Sequence, residues 1–406
     1  MMKPSNSALS RRKGIFVCIE NSLSWWLGRV QSGLVRRIKA ANSYFHALVG
    51  VPMRLPAWGE SRRIQHDAFR QLGYDTCKKM VIFFIPGYQG VTGGTLQIFT
   101  LHRLTRELFK DKETEALICW IPGEAWDLHH FGGFKNDVTI FPFEMVLNSC
   151  RSDCELMFHL PEYAAMRIVE RIGWQRLAEL REKRGLKINI LNQNIEVMLD
   201  SSQLDKIKEI TPELTCTAGN PAWATESERQ RLNIPIHVLP TWYYPDDAPW
   251  QPFESKKNLI IVSPDKNPYR NIVLGTLRNA LPELEIKVIQ DLKYEEYLEF
   301  EKSAKWSLTF GEGLDGYFYG PVLRGGVSFA VRNCTFDLPD LEAIRTVYKS
   351  YDIMAARIAE DIRALNNKEA YEGYNNIVRE PLVRVLGSKR TFDSLAAFYR
   401  GELSLL

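Results

Sequence analysis

No run of about 18 apolar residues occurs in the 406-residue chain, so no membrane-spanning helix is expected. A secretory signal is also not expected: Glu20 interrupts the only early apolar stretch, and no small-residue cleavage site follows it. The seven cysteines are an odd set without paired Cys-x-x-Cys spacing, and Cys150 and Cys154 have neither a second pair nor a His cluster beside them. Reduced thiols in a cytoplasmic protein, and no metal site, follow from that pattern. No phosphate loop ending in Gly-Lys-Ser/Thr, no His-Glu-x-x-His and no nucleophile elbow is present, so nucleotide-hydrolase, metalloprotease and serine-hydrolase readings have no support. Repeats at solenoid periods are missing as well.

Charge is close to balanced, at +3, but unevenly spread. Residues 1–73 hold twelve Lys or Arg against three Asp or Glu, and the rest of the chain holds 40 against 46. The basicity therefore belongs to the head. There Leu23, Trp26, Leu27, Val30, Leu34, Ile38, Ala41, Phe45 and Leu48 share one helical face, with Arg29, Arg36 and Lys39 opposite. Such a helix either packs on the protein's own body or lies in a membrane surface. A nucleic-acid arm is disfavoured by the acidic remainder and by the lack of a recognisable binding fold. An apolar content of 45% and a charged content of 25% are those of an ordinary globular protein with room for two or three domains.

From about residue 78 apolar runs alternate with amphipathic helical segments. Strands are expected at 80–85, 116–121, 138–141, 155–160, 187–191, 214–218 and 236–239, with helices over 164–184 and 202–210 among those between them. Met80-Val-Ile-Phe-Phe-Ile85 is apolar throughout, as a strand buried on both faces must be. Pro240, Pro245, Pro249 and Pro252 mark a linker. The alternation restarts at 258–263 and continues with a helix over 272–281, a strand at 285–289, a helix over 294–303 and strands at 306–310 and 327–331. Helix is expected from 341 to 365 and on to the C-terminus. The divisions are a basic helical extension over 1–73, a first α/β unit over 74–245, a linker over 246–256, a second unit over 257–345 and C-terminal helices over 346–406. Mostly parallel sheets covered by helices, with a cleft between the units, are the expected architecture.

Three loops could carry chemistry. After the strand ending at Phe310 come Gly311, Glu312, Gly313, Leu314, Asp315 and Gly316, where bare N–H groups can approach a phosphate and Glu312 faces the crevice. Tyr317 and Tyr319 follow and could line a sugar or base face. After 258–263 comes a loop with Lys266, Arg270 and Asn271. After 80–85 comes Gly87-Tyr-Gln-Gly-Val-Thr-Gly-Gly94, which lacks the Gly-x-Gly-x-x-Gly spacing of dinucleotide folds; Gly93, Gly94 and Thr95 open the next helix. Asp127, His129 and His130 share a loop of the first unit and could supply a general base, with His159 a rival at the end of a strand.

The stretch 306–331 resembles the donor-binding segment of two-domain GT-B glycosyltransferases, whose pattern is Glu, seven residues, Glu. Glu312 with Gly313 matches the first half; the second Glu falls on Pro321 or Gly320 and is missing. Arg270-Asn271 matches the Lys-Asn end of that family's phosphate loop, with Arg in place of Lys. The resemblance implies two Rossmann-like α/β domains (GT-B) facing a cleft. It makes Lys266, Arg270, Asn271, Gly311, Glu312, Gly313 and Leu314 the donor-binding set, and Gly93, Gly94 and Thr95 the acceptor and phosphate loop. It also implies a nucleotide-sugar donor, a saccharide or lipid-linked acceptor, no bound cofactor or metal, and a role in bacterial surface polysaccharide synthesis near the inner face of a membrane. A nucleotide-sugar epimerase on the same plan and a non-catalytic relative that binds a saccharide or a partner remain open.

Overall fold

A parallel strand needs a crossover to reach its neighbour, and the helical segments between the apolar runs supply it. The computed structural model describes residues 56–406 apart from 111–112, 126, 241–248, 334, 336–337, 339–340 and 342–343, and at 56–58 it describes the backbone only. The amphipathic segment expected over 23–48 lies outside the described residues, as does most of the proline-rich linker. Residues 60–406 form one unit.

The chain enters through α1 (Pro56–Gln71), whose Phe69 is buried among Tyr74 and Phe141 and whose Gln65 donates to the carbonyls of Leu128 and Ile140. The first domain then runs β1 (Lys79–Ile85), α2 (Gly93–Leu108), β2 (Thr114–Trp120), β3 (Ile140–Pro142), α3 (Phe143–Ser149), β4 (Glu155–Pro161), α4 (Ala165–Ile172), α5 (Trp174–Arg184), β5 (Lys187–Asn192), α6 (Ser201–Ile210), β6 (Leu214–Ala218), α7 (Glu226–Leu232) and β7 (Ile236–Val238). Its seven strands are parallel in the order β3-β2-β1-β4-β5-β6-β7. Six of the seven β1 residues are buried, as its apolar composition requires.

The second domain runs β8 (Lys257–Val262), α8 (Arg270–Ala280), β9 (Glu285–Val288), α9 (Tyr294–Ser303), β10 (Ala304–Leu308), α10 (Gly316–Leu323), β11 (Val327–Val331) and β12 (Val347–Tyr348), with five parallel strands in the order β12-β11-β10-β8-β9. Three helices follow: α11 (Tyr351–Leu365), α12 (Lys368–Leu386) and α13 (Ser388–Tyr399). The first two pack on the second sheet through Met354, Ile358, Ile362 and Tyr371. The third returns to the first domain, where Leu395 is fully buried and the Tyr399 hydroxyl bonds Thr105 and His159. Beyond it, Leu405 exchanges two backbone hydrogen bonds with Ile236 at the β7 edge.

Two expectations need correction. The single helix over 164–184 is broken into α4 and α5, because Gly173 has a φ of +93°, which no helix contains. The helix expected from 341 begins only at Tyr351, since Val347 and Tyr348 form a strand beside Ala330 and Val331. Among the described residues no helix is long and apolar enough to cross a membrane.

The return of α13 is a testable clamp. Leu395→Ala leaves a cavity against the first sheet and is expected to lower stability by about 3 kcal/mol in urea unfolding. A loss under about 0.5 kcal/mol would show that α13 is not part of the cooperative core.

Candidate functional site

Strand order locates the site before any side chain is considered. In the first sheet the chain builds from β1 outward through β2 and β3, then restarts beside β1 with β4; in the second it goes from β8 to β9, then restarts beside β8 with β10. Crevices open at the carboxyl ends of strands where the order reverses in this way. The loops after β1 and β4 and those after β8 and β10 meet across a cleft of about 840 Å³, lined by residues of both domains.

On the first-domain wall, Thr92 caps α2 by accepting the Thr95 N–H at 3.1 Å, leaving the first N–H groups of the helix at Gly93 and Gly94 without partners inside the helix. Gln193, just past β5, donates to the Gly94 carbonyl at 2.9 Å and to Gln97 at 2.8 Å. A Cβ on Gly94 would stand 2.7 Å from the Gln193 amide oxygen, so a larger residue there would push the end of the Gln193 side chain aside. Glu162 follows β4 and is 4% exposed. One of its oxygens accepts the Asn194 N–H at 3.0 Å, and the other is buried with no partner. Burial pushes its carboxyl up to about 7, against the pull of backbone donors at Gln193 and Asn194. Its charge acts on the Tyr163 phenol and the Cys216 thiol, both of which are raised further above neutral pH.

On the second-domain wall, Glu312 reaches across and accepts a 2.8 Å hydrogen bond from the Asn194 side chain. Its carboxyl is raised by burial. Asp315 caps α10, accepting the Tyr317 and Phe318 N–H groups and the Thr309 hydroxyl. Burial pushes it up to about 7 in spite of those three donors. Further contacts join the walls: Lys135 N–H to Glu295 at 2.7 Å, and the Trp223 indole N–H to the Thr335 carbonyl at 2.8 Å.

The expected residues divide as follows. Glu312, Gly93 and Gly94 line the cleft; Thr95 is buried behind them, its hydroxyl 3.0 Å from that of Thr92. Asp315, Tyr317 and Tyr319 also line it. Gly311 and Gly313 are not among the lining residues, and Leu314 packs with Phe318 and Leu382 in an apolar cluster. Lys266, Arg270 and Asn271 are not among the lining residues; the Arg270 guanidinium turns back to the carbonyls of Pro264 and Asp265, both at 3.1 Å. Asp127, His129 and His130 do not line the cleft either. Asp127 and His130 are exposed, and the His129 ring lies 3.1 Å from the Ser61 hydroxyl on α1. His159 is fully buried, stacked on Phe83 at 4.6 Å and bonded to Tyr399 and Asn189; burial lowers its pKa to about 3, so it stays neutral.

Sequence reasoning missed Glu162, Gln89, Gln193 and Lys293, all in the cleft. Glu162 follows an apolar strand directly, a position that could have singled it out. Also overlooked was the spacing of Gly311-Glu-Gly-Leu-Asp-Gly316, which is Gly-x-Gly-x-x-Gly between a strand and a helix. The described lining carries four carboxyls, Glu162, Asp291, Glu312 and Asp315, and one basic residue, Lys293. Burial pushes two of the four, Glu162 and Asp315, up to about 7.

No protein-family model matches the sequence, and no curated protein matches it. In three dimensions the chain is similar to a sucrose-phosphate synthase from Thermosynechococcus elongatus, with 10% identity over 80% of this chain and 99% of that one and a TM-score of 0.53. It is similar also to HepE of Anabaena in complex with UDP-glucose, with 9% identity over 79% of this chain and 99% of that one and a TM-score of 0.53. At such identities the likeness is one of fold: two Rossmann-like domains facing a cleft, the GT-B architecture.

Glu162 gives a pH signature with a definite sign. Below 4.5 its carboxyl is protonated in both the folded and the unfolded chain; between 4.5 and about 7 only the unfolded chain ionises, so stability falls as pH rises through that window. Glu162→Gln removes the penalty and is expected to be more stable than the parent at pH 8 by on the order of 2 kcal/mol, and equal to it at pH 4. Urea unfolding at both pH values checks this; equal stability at pH 8 would mean that the carboxyl ionises freely in the fold.

Proposed function

We propose that this chain is a glycosyltransferase that moves a hexosyl or deoxyhexosyl group from a nucleotide sugar to a saccharide or lipid-linked acceptor. The observation that carries the reading is Glu312, the half of the Glu-x7-Glu pattern that is present, standing in the cleft where the two switch points meet. In the donor complex Glu312 takes hydroxyls of the transferred sugar, exchanging its bond to Asn194 for them. The Gly93 and Gly94 N–H groups at the start of α2 face the diphosphate, and Lys293 supplies a positive charge. Lys266, Arg270 and Asn271 reach the donor only if their loop moves, because the Arg270 guanidinium is engaged by loop carbonyls.

No histidine is among the described lining residues, which leaves the epimerase reading without the carboxylate–His set it needs. A place in surface polysaccharide synthesis, with the amphipathic stripe over 23–48 as a basic membrane-surface segment, belongs to the same proposal. It rests on the uneven charge and the apolar stripe of that segment.

The test is thermal stability with UDP, GDP, dTDP, CMP and their sugar conjugates. A ligand at a hundred times its Kd stabilises the fold by about 2.7 kcal/mol, so one base series is expected to give a clear shift. UDP conjugates come first, since HepE was solved with UDP-glucose. Glu312→Ala is expected to weaken the sugar conjugate by about tenfold and the free nucleotide little, the loss of one charge-assisted contact. Silence across the panel at millimolar concentration would overturn the transferase in favour of a non-catalytic binding protein.

A further inference from the structure

We propose that α13 is a strap released by acid: protonation of His159, with His237 in support, detaches residues 388–405 from the first domain while both sheets stay folded. This is independent of the transferase reading, because it concerns the hold between two parts of the fold and involves no substrate.

Three histidines of the described residues are buried, His102, His159 and His237, and the last two bond the strap. They belong to a polar row across the first sheet, where His159 is the register partner of Asn189, Asn189 of Thr215, and Thr217 of His237. α13 therefore covers hydrogen-bonding groups as well as the apolar cluster around Leu395. The Tyr399 hydroxyl lies 3.1 Å from His159 Nε2 and 3.0 Å from the Thr105 hydroxyl. His237 Nε2 lies 2.9 Å from the Ser394 carbonyl, and its Nδ1 3.4 Å from the Ser404 hydroxyl. At the far end only Gly387 separates α12 from α13, and a Cβ there would stand 2.4 Å from the Val383 carbonyl oxygen. A single glycine between two helices is a place for a hinge.

Asn189 fixes the proton state of His159. Its Oδ1 accepts the Thr215 hydroxyl at 3.0 Å, so its Nδ2 is the donor, 3.0 Å from both His159 Nδ1 and the Thr217 hydroxyl. His159 Nδ1 is thus the bare acceptor, and Nε2 carries the N–H that meets Tyr399. A second proton can go only on Nδ1, where it would face the amide N–H of Asn189. The docked strap therefore requires a neutral ring, whereas a ring opened to water takes the proton freely.

Burial acts in the same direction, holding His159 down to about 3 and His237 below the usual 6.5. Above pH 6.5 both rings are neutral whether the strap is docked or released. Below it only the released state gains protons, so the strap loosens as pH falls. Phe83, Asn189, Phe398 and Tyr399 surround His159, and burial keeps the Tyr399 phenol neutral. Thr217, Ser394, Phe398 and Ser404 surround His237. No carboxylate or cation of the described residues acts on either ring to hold a charge there. The third buried ring, His102, bonds the Ala116 carbonyl instead of the strap. Residues 257–406 contain no histidine, so the second domain serves as an internal control.

The test is amide hydrogen exchange of the full chain at pH 7.5 and 5.0, read by mass spectrometry and corrected for the intrinsic rate. At pH 5.0 protection in α13 is expected to fall about 30-fold more than protection in β5 and in β8, the factor for one ring about 1.5 pH units below 6.5. In His159→Gln, whose side chain keeps a donor for Tyr399 and does not titrate, that extra loss is expected to shrink about tenfold. Unchanged α13 protection in acid, an equal loss in β5, or the full extra loss retained in folded His159→Gln would each overturn the strap. The first two outcomes are read on the parent chain, so the test does not depend on the variant folding.

Discussion

Every strand in both sheets is parallel to its neighbours, and that constraint sets most of the rest. A parallel strand cannot be reached by a hairpin, so each connection must cross over to the start of the next strand, mostly through a helix, and all strands of one sheet end on the same side. With two such sheets in one chain, the carboxyl ends of both can face a common cleft. The loops that reach it then come from strands distant in sequence: those after β1, β2, β4 and β5 on one wall, and those after β8, β9 and β10 on the other. No local motif could have assembled that set.

The cleft is acidic in composition but less so in charge. Four carboxyls against one lysine would repel a diphosphate if all were ionised. Burial raises the carboxyls of Glu162 and Asp315, so the field an anion meets is weaker than the residue count suggests. The contact between Asn194 and Glu312 joins the walls in the absence of ligand, so a sugar reaching Glu312 must displace a neutral amide rather than a cation. That is a mild competition, since an amide is replaced by hydroxyls of the same hydrogen-bonding capacity.

The fold was largely legible because its signal is local. Runs such as Met80–Ile85 and Asn258–Ser263 are too apolar to be anything but strands buried on both faces, and the glycine-rich loop after the first marks the turn into a helix. The break at Gly173 was missed because the apolar spacing continues across it; only the backbone angle separates α4 from α5. The site was legible only in part. Glu312, singled out by its glycine neighbours, lines the cleft, whereas Arg270 does not, and sequence does not show that its guanidinium curls onto its own loop. His129 and His130 attracted notice as residue types, but their loop points to α1. What singles out Glu162 is an orphaned oxygen, a property of packing between strands and not of spacing.

The path of α13 has a consequence for synthesis on the ribosome. Leu395, Tyr399 and Leu405 cover the face and edge of a sheet whose strands are made between residues 79 and 238. Until some 160 further residues have been translated, the ring of His159 lacks its phenol partner and the β7 edge lacks its bridge to Leu405. The first domain therefore emerges with an unfinished apolar surface and an open strand edge, the features that chaperones bind and that nascent chains use to pair wrongly. Its last contacts are long-range ones, closed by residues from the opposite end of the described fold, so completion of the early domain waits on translation of the late one.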